Sequence, residues 1–359
     1  MTWFKNTLTK SLNIKYPIIQ APMASAASIE LAAAVSNAGG LGSLGLSYYK
    51  FEDILSDYKS LLRKTNHSIN LNFFTHKNPK KNDIQAKKYM NEMQKYFSEY
   101  NIPIIPNLIN TTEPFNSEHL ELLLKMNPKV VSFHFGLPNS NYIKSIKQHK
   151  ILIISTATTV KEAKILEDSG VDAIIAQGFE AGGHRGTFAS SYNEGEIGLF
   201  SLLPQIVDAT SVPIIAAGGI TNGRGIAAAL MLGAKGVQLG TAFLSCPEAT
   251  VHPLWKKALS ESSEKETRIT KAFTGRPARG IVNRLLNDME NKKDIIPDFP
   301  TVGSVVKPLA HAAAKQGKND FLSLWAGQSA PMNRNVTSKK LVELLIKETS
   351  SILKLYKNT

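Results

Sequence analysis

The sequence predicts a (β/α)8 TIM barrel, and three observations lead there. Eight short apolar, β-branched runs recur along residues 17–244. They are continuous rather than alternating in hydrophobicity, as strands buried on both faces of a parallel sheet are. Amphipathic helical patterns lie between most of them, the spacing that parallel strands need for their crossovers.

The first run is "PIIQAPM" (17–23), and "SIELAAAVSNAGG" after it reads as a helix stopping at a glycine pair suited to a helix C-terminus. "LGSLGL" (41–46) and "INLNFF" (69–74) follow. Residues 77–128 hold extra polar, helical sequence, expected as an insertion between the third and fourth strands. "VVSFHFG" (130–136) and "ILIISTA" (151–157) resume the barrel, and "TVKEAKILEDSG" offers Thr159 as an N-cap and Gly170 as the end of its helix. "DAIIAQG" (172–178), "VPIIAAGG" (212–219) and "GVQLGTAFL" (236–244) complete the eight. The barrel is thus expected over residues 1–245. Residues 246–325 are too long for one loop and contain "HPLWKKALSES" and "PLAHAAAKQ", so a helical cap over one barrel end is expected. Residues 326–359 contain "SKKLVELLIKETSSILKLYK", whose periodicity suits a helix packing back on the barrel.

With 43% hydrophobic and 20% charged residues, the composition is that of a globular enzyme rather than a disordered chain. No apolar run of about 18 residues suggests a membrane span, and "MTWFKNTLTK" lacks the apolar core of a signal peptide. The single cysteine, Cys246, excludes an internal disulfide and any cysteine-rich metal site. A cytoplasmic protein, monomer or homodimer, with no membrane partner is the simplest expectation. The net charge of +13 is spread through segments such as "HKNPKKND" and "ENKKD" with acidic residues mixed in. That pattern suits a solvated surface attractive to anionic substrates, and no nucleic-acid partner is expected.

Barrel active sites form at the C-terminal ends of the strands, and the unusual residues here sit at those ends. "AAGGITNGRGIAAAL" ends a strand in two glycines shortly before an alanine-rich helix, so backbone amides and the helix N-terminus form an anion cradle. "QLGT" adds a glycine and a hydroxyl after the neighbouring strand. Together these two loops form the usual phosphate site of a barrel. Asn72 and Gln177 place amides at the same mouth, suited to the edge of a planar heterocycle. Phosphate and heterocycle together point to flavin mononucleotide (FMN) lying across the barrel top.

"YPIIQAPMA", "FHFGLP", "AQGFEAGGHRG", "AAGGITNGRGIAAAL", "GVQLGTAFL", "KAFTGRPARGIVNR" and "LWAGQS" occur in this order over nearly the whole chain. In this the sequence resembles the class I nitronate monooxygenases, formerly called 2-nitropropane dioxygenases. Two positions depart from the pattern, Ser25 where glycine is expected and Asn222 where aspartate is usual. The resemblance implies non-covalent FMN and oxidation of an alkyl nitronate, propionate 3-nitronate above all, by O2. A carbonyl compound and nitrite or nitrate would result, a detoxifying role. It also implies that Asn72, Gln177 and Gly182 contact the isoalloxazine or ribityl chain, with Met23 beside the ring. Gly219, Gln238, Leu239, Gly240 and Thr241 would hold the phosphate end. The rival reading on the same fold is an FMN-dependent enoyl-acyl-carrier-protein reductase or NAD(P)H:quinone reductase.

His184, set among four glycines, is the expected catalytic base, taking the α-proton of a neutral nitroalkane. His134 in "FHFG" is read as facing the site or as structural. His76, His252 and His311 lack metal-ligand spacing and are expected at the surface or in the cap, and no metal is expected. Cys246 is read as packing, and Glu180 and Arg185 as braces of the "EAGGHRG" loop.

Overall fold

The structure is a computed structural model that describes residues 3–24 and 26–355. In chain order its first half contains α1 (Thr7–Leu12), β1 (Ile18–Gln20), α2 (Ile29–Asn37), β2 (Gly42–Gly45), α3 (Phe51–Leu62), β3 (Ile69–Phe74), α4 (Asp83–Glu99), α5 (Ser117–Met126), β4 (Val130–His134), α6 (Ser140–Gln148), β5 (Leu152–Ala157) and α7 (Val160–Asp168). The second half contains β6 (Ala173–Gln177), β7 (Gly183–His184), α8 (Leu199–Ala209), β8 (Ile214–Ala217), α9 (Gly223–Met231), β9 (Gly236–Leu239), α10 (Thr241–Leu244), α11 (Pro253–Glu261), β10 (Thr267–Thr270), β11 (Ala278–Ile281), α12 (Arg284–Asp288), α13 (Gly303–Lys315) and α14 (Ser338–Leu355).

Eight of these strands pair in parallel in the order β1-β9-β8-β6-β5-β4-β3-β2. Gln20 N–H to Leu41 O and Leu41 N–H to Ile18 O, both 2.9 Å, join the two ends and close the barrel. All eight runs expected as barrel strands are in it. Their continuous hydrophobicity has a plain cause. Ile18, Ile153, Ile174 and Ile214 pack outward under the helices, while Ile19, Ile154, Ile175 and Ile215 meet inside the barrel. Leu8 and Leu12 of α1 join that inner cluster. Thr159 caps α7, accepting from Glu162 N–H at 3.2 Å, and Gly170 follows the helix at φ +82°.

One expectation is refined and one corrected. First, the insertion at 77–128 is helical, but its two helices part: α5 packs between α3 and α6 as an ordinary outer helix, and α4 leaves the ring. Tyr89, Met93, Tyr96 and Phe97 of α4 are buried with Phe273, Leu285, Val305, Leu309 and Phe321 in a core separate from the barrel's. The polar face of α4 hid this apolar stripe. Second, the segment after the barrel is not purely helical. It carries β10 and β11, which form a three-stranded antiparallel sheet with β7 from the barrel's own loop. A two-residue strand whose partner lies about ninety residues on leaves no periodic trace in sequence. α14 lies against α9 and α2, where the ring would otherwise lack its eighth helix.

Candidate active site

Side chains alternate along a strand, so each inward position near the barrel floor is followed two residues later by another nearer the rim. Asn70 leads to Asn72 and Phe74, Val130 to Ser132 and His134, Ile154 to Thr156, and Ile175 to Gln177. The rim residues of these series border a cavity of about 300 Å³ between the strand ends and the cap. Met23, Asn72, Gln177, Gly182, His184, Gly219, Gln238, Gly240 and Thr241 all line it. Leu239 does not: its side chain is 1% exposed in the core and its carbonyl accepts from Ala21 N–H. Ser25 lies outside the described residues.

The anion cradle differs in detail from the sequence expectation. Asn222 caps α9, accepting from Arg224 and Gly225 N–H at 3.0 and 3.1 Å, and Gly223 N–H donates to Glu348 at 2.9 Å. The α9 terminus therefore has its first amides satisfied. What stays open is the turn before it, where Gly218 and Gly219 adopt φ +113° and +69°. The N–H groups of Gly219, Ile220 and Thr221, and those of Gly240 and Thr241 after β9, donate to no group among the described residues, and all five residues border the cavity. Unpaired amides at a cavity wall are an oxyanion site awaiting its acceptor.

The glycines of the "EAGGHRG" loop divide their work. A Cβ on Gly182 would stand 2.5 Å from Gly327 N and 2.6 Å from Ala326 C. The missing side chain of Gly182 therefore makes room for the 326–327 backbone, while Gly182 itself still borders the cavity. Gly183, at φ +72° with nothing within 4 Å of its missing side chain, is the one that opens on empty space. Arg185 is 1% exposed and donates to the carbonyls of Gly178 (2.6 Å), Gln177 (3.1 Å) and Gly195 (2.8 Å). Glu180 accepts from Leu199 N–H at the start of α8. Both residues brace the loop.

His184 leaves the loop on β7. One ring nitrogen, Nε2, lies 2.9 Å from Thr274 Oγ1 on the cap, while Nδ1 has no hydrogen-bond partner among the described residues. Its carbonyl accepts from Gln177 Nε2 at 3.0 Å and faces His134 Nε2 at 3.2 Å, and His134 Nδ1 meets Thr156 Oγ1 at 3.2 Å. His134 thus borders the cavity and also fixes the backbone of His184, so the two readings of it coexist. Asn72 spends both amide protons on Ser132, leaving its Oδ1 as the free end.

Burial, then the neighbouring His134, Arg276 and His76, hold the pKa of His184 at about 3. Burial above all brings His134 to about 3 as well. Both rings are therefore neutral at physiological pH, and Nδ1 of His184 carries a lone pair whenever Nε2–H donates to Thr274. Because the folded values lie below the 6.5 of an unfolded histidine, stability is fully present above about pH 6.5. It is lost as pH falls toward 3, where only the unfolded chain takes up these protons. The thermal midpoint should fall steadily from pH 7 to pH 5, with up to two extra protons bound on unfolding by this pair and more by His76 and His119, whose pKa values burial also lowers. His184→Asn should flatten that slope, and an unchanged slope would show that other groups set it.

Sequence reasoning missed Lys307. It lies on α13, lines the cavity with its ammonium 4.9 Å from the centre of the Tyr48 ring, and has its pKa lowered by burial. Nothing marks it among 42 basic residues except the packing of the cap. Trp255, Phe273, Trp325 and Ser329 complete the cap-side wall. Of the three histidines expected at the surface or in the cap, His76 is 5% exposed, packed against Phe299 of the cap, whereas His252 and His311 are exposed. Cys246 is buried, and its pKa is pushed up by burial to about 12. No helix is long and apolar enough to cross a membrane among the described residues.

The family model for nitronate monooxygenase matches residues 5–348. A probable nitronate monooxygenase of Staphylococcus aureus is 38% identical over 355 residues, which is 98% of this chain and 99% of that protein. One from Staphylococcus saprophyticus is 39% identical over 350 residues, 96% and 98% of the two chains. The crystal structure of nitroalkane oxidase from Streptomyces ansochromogenes superposes with a TM-score of 0.90 at 37% identity, covering 98% of this chain and 100% of that one. FabK from Thermotoga maritima follows at 0.77 and 27%, covering 99% of each. Matched from end to end in both sequence and fold, the chain is an oxidoreductase that belongs to the nitronate monooxygenase family.

Proposed function

We propose that this enzyme oxidises alkyl nitronates with O2, using FMN, to a carbonyl compound with release of nitrite or nitrate. The physiological substrate in this reading is propionate 3-nitronate, and the role is detoxification. One observation carries it: a neutral imidazole with a free nitrogen, the Lys307 ammonium and a row of unpaired amides face the same cavity. Nitronates are anions, and Lys307 supplies the one ammonium that lines this cavity among the described residues.

The open amides of 219–221 and 240–241 fit a single phosphate, and the hydroxyl of Thr241 stands beside them while accepting from Gly327 N–H at 2.9 Å. Asn72 Oδ1 offers an acceptor, and Met23 an apolar edge, where a flat ring would lie. Bound there, FMN would supply the redox capacity that no side chain in the cavity has. The protein's own part is different. His184 Nδ1 takes the α-proton of a substrate that arrives as a neutral nitroalkane, Lys307 holds the resulting negative charge, and the aromatic cap wall excludes water. A nitronate already formed needs only the last two.

The purified protein should be yellow and release FMN rather than FAD on denaturation, and an anaerobic nitronate should bleach it. Bleaching by NADH or NADPH without oxygen, with no response to a nitronate, would favour the reductase reading that FabK's fold invites. Lys307→Met should raise the KM for a nitronate by about tenfold with little change in kcat, because one charge-assisted contact common to ground and transition states is lost. An unchanged KM would remove Lys307 from substrate binding.

A further inference from the structure

A second cavity, of about 810 Å³, lies behind the first, and no residue borders both. The partition is only one residue thick. Phe74, His134, His184 and Thr274 face the first cavity, and their successors Thr75, Phe135, Arg185 and Gly275 face the second. The charge of the second cavity is one-sided. Lys77, Arg185, Lys271 and Arg276 border it against a single carboxylate, Asp298. Lys77, Lys271 and Arg276 have no ion pair among the described residues.

Arg276 is the best placed of the four. Its guanidinium lies flat on the Phe135 ring, 3.9 Å from the centre, and one Nη2 donates to the Thr187 carbonyl. Its other nitrogens have no partner among the described residues. A stacked guanidinium has already lost its rotational freedom, so its fork is set for two parallel bonds to an oxyanion. Phe135 is held at φ +73°, a conformation a bulky side chain rarely adopts, and this fixes the surface on which Arg276 lies. His76 borders the same cavity, 5% exposed, with its ring packed edge-on against Phe299. Leu137, Pro138, Phe188 and Pro277 give part of the remaining wall an apolar face.

We propose that this second cavity binds an oxyanion group, phosphate or carboxylate, carried on a molecule with an apolar body, with Arg276 gripping the oxygens and Lys77 and Lys271 flanking them. The claim does not depend on the redox reading of the first cavity and is tested without turnover. Calorimetric titration with inorganic phosphate and, separately, with benzoate should show saturable one-to-one binding in the millimolar range or tighter for at least one of them. Tighter phosphate would assign a phosphate ligand, and tighter benzoate a carboxylate whose ring meets the apolar wall. Arg276→Gln should weaken that binding by about tenfold or more, the worth of one charged contact. The double variant Lys77→Gln, Lys271→Gln should weaken it several-fold, and it decides the matter alone where Arg276→Gln does not fold. Lys307→Met, in the first cavity, should leave the affinity within about twofold. The proposal fails if neither anion binds, if binding survives unchanged in the lysine double variant and in folded Arg276→Gln, or if Lys307→Met abolishes it.

Discussion

Replacing His184 by asparagine is expected to slow turnover of a neutral nitroalkane by on the order of 10²–10⁴, the usual worth of a positioned base. The same compound supplied as its preformed nitronate should be turned over at nearly the parent rate, because its proton has already gone. The side-chain bond to Thr274 is lost in the variant, while the carbonyl contacts to Gln177 and His134 are backbone and persist. Flavin content should therefore stay normal, and it serves as the control for folding. Equal losses on both substrates would mean that His184 binds the nitro group rather than its proton. No loss on either would pass the role to His134, which borders the same cavity but has its ring nitrogens near Thr156 and the His184 carbonyl.

The largest effect on stability is expected from Arg185→Met. Methionine fills a similar volume but takes the charged donor from the carbonyls of Gln177, Gly178 and Gly195, of which Gly178 keeps only the Ala181 N–H among the described residues. Charged hydrogen bonds are worth roughly 1.5–3 kcal/mol each, and the relief of no longer burying a cation offsets part of that. A net loss of about 3–5 kcal/mol and a fall in Tm of roughly 5–10 °C should follow. Activity should drop further than the folded fraction does, since the braced segment carries His184. A variant as stable as the parent would show that water reaches those carbonyls.

The barrel was legible because its signal is repeated and local. Each strand is an uninterrupted apolar run, and each rim residue follows from the two-residue period of the strand that carries it. Asn72 and Gln177 were placed at the mouth by the strand ends that carry them, and His184 by the glycines around it, and all three border the cavity. Reasons were harder to read than positions. Gly182 borders the cavity, yet the space of its missing side chain is taken by the backbone at 326–327, a contact across more than 140 residues. The amides of α9 look free until Glu348, on the last helix, is seen to take one of them. Lys307, Tyr48 and α4 depend on how the cap folds over the barrel, and no periodicity encodes that.

The strand pairing of β7 with β11 has a mechanical consequence. His184 sits on a strip of chain that is hydrogen-bonded to the cap sheet at Ala278 and anchored to the barrel through Gln177. It works like a rivet through two plates. The cap is therefore no free-swinging lid: lifting it at this edge would either tear the pairing or drag the imidazole off its mark. Traffic in and out is expected elsewhere along the seam, on the side of Tyr48, Thr111 and Lys307, where α13 borders the cavity without a shared strand. Reactants would then file past the ammonium before they reach the histidine.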